Sequence, residues 1–319
     1  MRAMRFLGQG MPLRLAEVAD PEPRPGWVVV DIEAAGICGS DVHIVRGKGD
    51  DWTVAVPVPL TLGHEGAGVI SALGDGVEGF AVGDRVGVAT IAHPMSVPYG
   101  VGVDGAFAEQ MLADARTLLP IPENVPFAQA AVATDAVATA YRAVRTVGRA
   151  SLDDVVAIIG LGGLGLNGVR VATLCGATVY GVDVNPHTFG AAWAAGAKDC
   201  FLDPDALLPV EPDLVVDFAG MGDTIAAAVR VVRPGGRVVL VGLGRDTSTF
   251  NTAELVMKYV DLRGSIGASK EEIERVYALL SQGAIRPELS ETPFTELNDA
   301  IQALALGKVT GRLFTRPRA

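Results

Sequence analysis

The stretch Val155-Val156-Ala157-Ile158-Ile159-Gly160-Leu161-Gly162-Gly163-Leu164-Gly165 decides the fold. An apolar, mostly β-branched run enters a G-x-G-x-x-G turn, and a helix-like stretch over residues 165–175 leaves it. Strand, glycine turn and helix in that order are the setting in which the motif binds a dinucleotide. Gly160 permits the tight turn, Gly162 lets a pyrophosphate approach the backbone, and Gly165 lets the helix pack on the strand. Amides from Gly163 and Leu164 onward then meet the phosphate charge at the helix N-terminus. Taken alone, the motif is equally a structural turn. What discriminates is a second apolar run, residues 178–182, that ends at Asp183, 18 residues beyond Gly165, where a carboxylate can accept hydrogen bonds from the adenosine ribose. Asp183 also favours NAD(H) over NADP(H), because a 2′-phosphate brought to ~4 Å of it would cost roughly 4 kcal/mol per charge pair at an effective dielectric of 20. Residues 184–190 supply no Arg or Lys to offset that repulsion.

Outward from this stretch, apolar runs at 214–218, 237–241 and 261–266 alternate with helix-like segments at 186–195 and 223–231. Such βαβ spacing predicts a doubly wound parallel sheet, an α/β architecture. Upstream, runs at 27–33, 66–70, 85–88 and 106–112 separated by glycine turns predict a mainly β region, and residues 127–147 read as helical. Downstream of Ser269 the pattern is helical to Ser281, and a closing strand over 311–315 is too short to stand alone and is expected to return to the first domain.

A chain of 319 residues that is 49% hydrophobic and 20% charged is long enough for two domains with large cores. Its formal charge of −11 opposes nucleic acids and anionic membranes, which leaves small-molecule chemistry. Neither a signal-peptide-like apolar stretch nor a membrane-length one is evident, so a cytoplasmic protein is expected. Cys38, Cys175 and Cys200 are too few and too scattered for a disulfide framework or a four-cysteine zinc knuckle. One of them can still serve as a single metal ligand.

Two glycine-flanked polar clusters lie at predicted strand ends, Gly36-Ile37-Cys38-Gly39-Ser40-Asp41-Val42-His43 and Gly63-His64-Glu65-Gly66. Singly, a lone cysteine is usually a small buried hydrophobe and a lone histidine usually structural. Together with a distant carboxylate they make a catalytic zinc set if the fold gathers them. Ser40 and Asp41 can equally be helix-capping residues.

These clusters, with Gly83-Asp84-Arg85-Val86, Gly105-x-Phe107-Ala108-Glu109 and the later glycine turn, closely resemble the zinc-containing medium-chain dehydrogenase/reductases, in order over nearly the whole chain. The resemblance implies a GroES-like catalytic domain over 1–136, a Rossmann domain over 137–268 and a return to the catalytic domain over 269–319. It makes Cys38 and His64 zinc ligands and puts Asp135, four residues before Thr139-Ala140-Tyr141, in the third ligand position, where the alternative is a favourable helix N-terminal carboxylate. Glu65 becomes the neighbour that can replace water on zinc, Ser40 and His43 a proton relay, and Asp41 the group that orients His64. Thr139, Val241, Gly242, Leu243, Ser265 and Ile266 are placed on the cofactor, and Arg312 is directed at its pyrophosphate or is simply a surface arginine.

The family's four-cysteine lobe is missing, since residues 87–100 hold no cysteine. One catalytic zinc per chain, and no structural one, is therefore expected. The resemblance implies hydride exchange between NAD(H) and an alcohol–ketone pair, the alcohol secondary, with a cyclic one or a polyol among the candidates. A cleft lined by Trp52, Ile91, His93 and Tyr99 would take a cyclic secondary alcohol, a polyol or an apolar alcohol, with His93 either incidental or substrate-facing. The sheet edge near 261–266 is expected to join subunits into a homodimer or homotetramer. The competing readings are a zinc-free quinone or enone reductase of the same superfamily and a catalytically silent nucleotide-binding protein.

Overall fold

In the computed structural model, residues 1–47, 55–93 and 95–319 are described, without the side chains at 92, 93, 95 and 96. The chain forms two units, one taking in the described residues up to Ala138 and again Gly267–Ala319, the other Thr139–Ile266. Each expected domain boundary differs from these by two residues.

Six strands build the Thr139–Ile266 unit, ordered across its sheet as Asp199–Phe201, Thr178–Val182, Val155–Ile159, Leu214–Asp217, Arg237–Leu240 and Asp261–Gly264. Every neighbouring pair is parallel. A parallel sheet is covered on both faces, so its strands must be apolar throughout. Val156, Ala157 and Ile158 accordingly show no exposure at all. Ile159, Val182, Val215 and Val238 pack with Ile225 and Val229 of the Asp223–Val231 helix in one apolar cluster. The strand order reverses between Val155–Ile159 and Leu214–Asp217, and ligands bind at the carboxyl ends of strands beside such a reversal.

In the other unit, the 11-residue strand Trp27–Ile37 is central. From Val28 to Gly36 it pairs antiparallel with Glu65–Leu73, with Gly36 opposite Glu65. Gln110–Asp114 covers its first half and Arg312–Thr315 its last residues, where Leu313 faces Ile37. Arg85–Ala89 extends the sheet beyond Glu65–Leu73, and Leu289–Glu291 extends it beyond Arg312–Thr315. One end of the sheet thus gathers the start of the Glu65 strand, the end of the Ile37 strand and the start of the Arg312 strand. The helical run that packs nearby is α-helical over Phe127–Val132 and π-helical over Ala133–Val137. A π turn widens the helix locally and is often found at functional sites.

Several elements lie beyond what the pattern predicted. Arg2–Phe6 and Arg14–Glu17 form an antiparallel pair, and Asp199–Phe201 completes the parallel sheet. The expected strand at 106–112 is Gln110–Asp114 instead, because Ala106 and Phe107 are occupied in pairing with the backbone of Gly63 and Leu62.

Candidate functional site

Cys38 ends the Trp27–Ile37 strand and caps the Gly39–Arg46 helix. His64 stands just before the Glu65–Leu73 strand, and the Gly36–Glu65 pairing brings the two polar clusters to the same sheet end. Asp135 enters from the π-helical turn. One ligand atom each from Cys38, His64 and Asp135 lies within 4.8 Å of the other two. Asp135 Oδ2 is 3.8 Å from Cys38 Sγ and 3.6 Å from His64 Nε2. A thiol, an imidazole nitrogen and a carboxylate oxygen are together a zinc donor set, and three protein ligands leave the fourth position of a tetrahedral ion open to substrate.

The surroundings fit a metal as well as the donors do. Cys38 and His64 are nearly buried, and Asp41 is fully so. Asp41 Oδ2 accepts the Cys38 N–H at 2.8 Å, while its Oδ1 stands 3.5 Å from His64 Nδ1. Neither of those last two atoms has a hydrogen-bond partner among the described residues. Ligation at Nε2 would fix the ring proton on Nδ1, the tautomer from which Asp41 can accept. Burial lowers the imidazole pKa, but Asp41 first and Asp135 second outweigh it, so His64 is held well above its ordinary value. Thr90 Oγ1 donates to the His64 carbonyl at 2.8 Å and pins the backbone beneath the ring. Ser40 Oγ is 3.2 Å from His64 Nε2, and His43 lies one helical turn further along on the Gly39–Arg46 helix.

Glu65, expected as the neighbour that can replace water on zinc, is not one of the three donors that converge. Its carboxylate is fully buried and held by Arg312, whose Nη2 donates to Oε1 at 2.5 Å and Nε to Oε2 at 3.1 Å. Burial raises the Glu65 carboxyl above the usual range, against the opposing pull of Arg312. Arg312 itself is only 4% exposed, so it is no surface arginine, and the contacts seen for it run to Glu65 and Asp135. Tyr99, expected to line a cleft, needs correction. At 1% exposure it is core, its ring set edge-on to Trp27 and its hydroxyl accepting the Asp114 N–H at 2.7 Å. Ile91 is half-buried, whereas Trp52 and the His93 side chain lie outside the described residues.

In the Thr139–Ile266 unit the glycine turn has the stereochemistry its sequence demands. Gly160 adopts φ +85°, and a Cβ on Gly165 would stand 1.7 Å from the Gly160 carbonyl oxygen. A Cβ on Gly162 would meet nothing within 4 Å, which leaves open space on the side a phosphate would approach. Leu164 caps the Gly165–Leu174 helix, and the Gly163 carbonyl accepts the Asn167 amide at 2.8 Å. Asp183 Oδ2 accepts the Leu161 N–H at 2.7 Å and Oδ1 accepts the Asn185 N–H at 2.8 Å, tying the second strand end to the turn. A pocket opens at the strand-order reversal, lined by Gly160, Asp183, Asp203, Met221, Thr224 and Arg245 among others. Val241 and Gly242 follow the Arg237–Leu240 strand, and both of their amides donate to the Asp217 carbonyl. Leu243 and Ile266 are more than half exposed, and Thr139 is buried.

Asp217 is a participant the sequence reading missed. It takes the Ala219 and Gly220 amides on Oδ1 and the Thr224 hydroxyl on Oδ2, which shapes the loop beside the pocket. Its only signal in the sequence is an acid closing the apolar run Val215-Val216.

Residues 24–123 match the alcohol dehydrogenase GroES-like domain and residues 163–282 the zinc-binding dehydrogenase domain. An NAD-dependent alcohol dehydrogenase of Sulfurisphaera tokodaii is 32% identical, the match covering 98% of this chain and 99% of that one. The chain belongs to the zinc-containing alcohol dehydrogenase family. Among its relatives this dehydrogenase is also 31% identical to an alcohol dehydrogenase of Geobacillus stearothermophilus over 95% of each chain. In three dimensions it is similar to the crystal structure of the alcohol dehydrogenase of the hyperthermophilic archaeon Aeropyrum pernix, with a TM-score of 0.90 and 28% identity over 99% of this chain and 100% of that one.

Proposed function

We propose that the chain interconverts a small secondary alcohol and its ketone by hydride transfer to and from NAD(H), at a zinc held by Cys38, His64 and Asp135. The convergence of those three donor atoms within 4.8 Å carries this reading. A zinc ion there supplies a Lewis acid that makes an alcohol hydroxyl acidic near neutral pH. Ser40, beside His64 Nε2, is suited to hydrogen-bond the alcohol oxygen and pass its proton onward, with His43, one turn along the same helix, as the outlet toward solvent by way of the cofactor ribose. Bound NAD⁺ would supply the acceptor for the hydride given up by the alcohol carbon, and NADH the donor in the reverse direction. Asp41 keeps His64 in one tautomer and orientation throughout.

The pocket beside Gly160 suits the adenosine half of the cofactor, with Asp183 as acceptor for the ribose hydroxyls. Leu243, Ser265 and Ile266, beyond the carboxyl ends of the adjacent strands, are assigned to its nicotinamide end. Among the described residues no helix is long and apolar enough to cross a membrane. Association of chains is proposed through the outer strand Asp261–Gly264, next to which Val256, Met257 and Tyr259 are 65%, 76% and 82% exposed. Light scattering that finds only single chains would remove that part of the reading.

The decisive experiment is metal analysis of the purified chain joined to NAD-linked turnover of secondary alcohols, sugars and cyclitols, with Cys38→Ala as control. Stoichiometric zinc and turnover lost in the control are expected. Full activity in a zinc-free chain would favour the reductase of quinones or enones instead, and tight NADH binding without turnover would point to a silent binding protein.

A further inference from the structure

We infer that Glu65 and Arg312 are positioning residues of the metal centre, a buried ion pair that grips Asp135 both by the backbone beside it and by its carboxylate. The inference rests on the metal reading above and says how the third ligand is held there. Glu65 Oε1 accepts two hydrogen bonds, one from Arg312 Nη2 at 2.5 Å and one from the Ala136 N–H at 3.0 Å. Ala136 follows Asp135 in the π-helical turn, so Glu65 fixes the backbone from which the ligand projects. The same Nη2 of Arg312 reaches Asp135 Oδ2 at 3.4 Å. Oδ2 is the oxygen turned toward Cys38 Sγ and His64 Nε2. A carboxylate oxygen has two lone-pair sites, so one can face Arg312 while the other faces the ion.

The rest of the fold is arranged to admit this pair. A Cβ on Gly36 would stand 1.8 Å from Glu65 Oε2, so only glycine at that register leaves room for the carboxylate. Leu313 opposite Ile37 sets Arg312 level with the end of the strand that delivers Cys38. A buried ion pair adds little stability over apolar side chains of the same volume. What this one adds is direction: the guanidinium fork holds Glu65 at both oxygens while its Nη2 also reaches Asp135, a planar geometry that a lysine point charge does not reproduce.

The test measures zinc affinity by competition with a chelator, the absorption spectrum of the cobalt(II)-substituted protein, and NADH affinity by fluorescence, in Arg312→Gln, Arg312→Lys and the double variant E65Q/R312Q. Expected are a loss of zinc affinity of about tenfold to a hundredfold, altered ligand-field bands with the thiolate-to-cobalt band of Cys38 retained, and NADH affinity at the wild-type level. If Arg312→Gln does not fold, the lysine variant keeps the charge and the double variant removes the buried charges altogether. Weaker zinc binding in either carries the same result. Wild-type zinc affinity and an unchanged cobalt spectrum in the folded variants overturn the inference, and so does a loss confined to NADH, which would return Arg312 to the pyrophosphate. A wild-type chain that takes up no zinc would fail at the earlier step and sink the metal reading itself.

Discussion

The two sites are assembled in opposite ways. The nucleotide pocket draws its turn, its helix N-terminus and Asp183 from a single βαβ stretch, so neighbours in sequence are neighbours in space. The candidate metal centre draws on residues 38, 64, 65, 135 and 312, and its longest bond in sequence joins Glu65 and Arg312, 247 positions apart. A site made of contiguous backbone is written in glycines and strand periodicity. One made of distant side chains depends on sheet register, and a single change of register scatters it.

The largest break in this contrast comes from Asp135→Ala. Loss of a ligand should lower turnover by more than about a hundredfold, the upper end for groups that merely support a ligand. NADH affinity should stay at the wild-type value, since the nucleotide pocket owes nothing to this side chain. A fall in both would mean that the sites are not separable. The next largest effect divides two glycines of one motif. Gly165→Ala forces a Cβ onto the Gly160 carbonyl and should cost about 1–3 kcal/mol in urea unfolding. Gly162→Ala has open space and should unfold like the wild type, while its KM for NAD rises because the added methyl occupies the phosphate's approach. Equal unfolding midpoints for the two variants would contradict this geometry. The smallest shift is expected for Asp183→Ser, which removes a charge near the ribose. The preference for NAD over NADP in kcat/KM should fall by about tenfold, part of the roughly 4 kcal/mol repulsion at close range being screened by solvent. An unchanged preference would move cofactor selection away from Asp183.

The same contrast explains what the sequence disclosed. Val155–Ile159 and Thr178–Val182 have the bounds their apolar runs predict, because strands buried on both faces carry no polar interruptions. Asp199–Phe201 and Leu289–Glu291 escaped notice, being three-residue strands with polar residues among them and no periodicity to read. Cys38 and His64 could be suspected because both stand in glycine-flanked clusters at strand ends. Asp135 was visible only through family resemblance, since a carboxylate in a helical run reads as ordinary surface chemistry. The commitment of Glu65 to Arg312 could not be read at all, as no local pattern records which strand returns beside which.

The returning strand Arg312–Thr315 also orders events during synthesis. A chain made from its N-terminus completes Thr139–Ile266 while the last residues of Trp27–Ile37 still await their partner. Until residues 312–315 emerge, that edge stays open to pairing with other chains. The nucleotide-binding half can therefore ripen on the ribosome, whereas the catalytic half is born incomplete and closes only after residues 312–315 have been made.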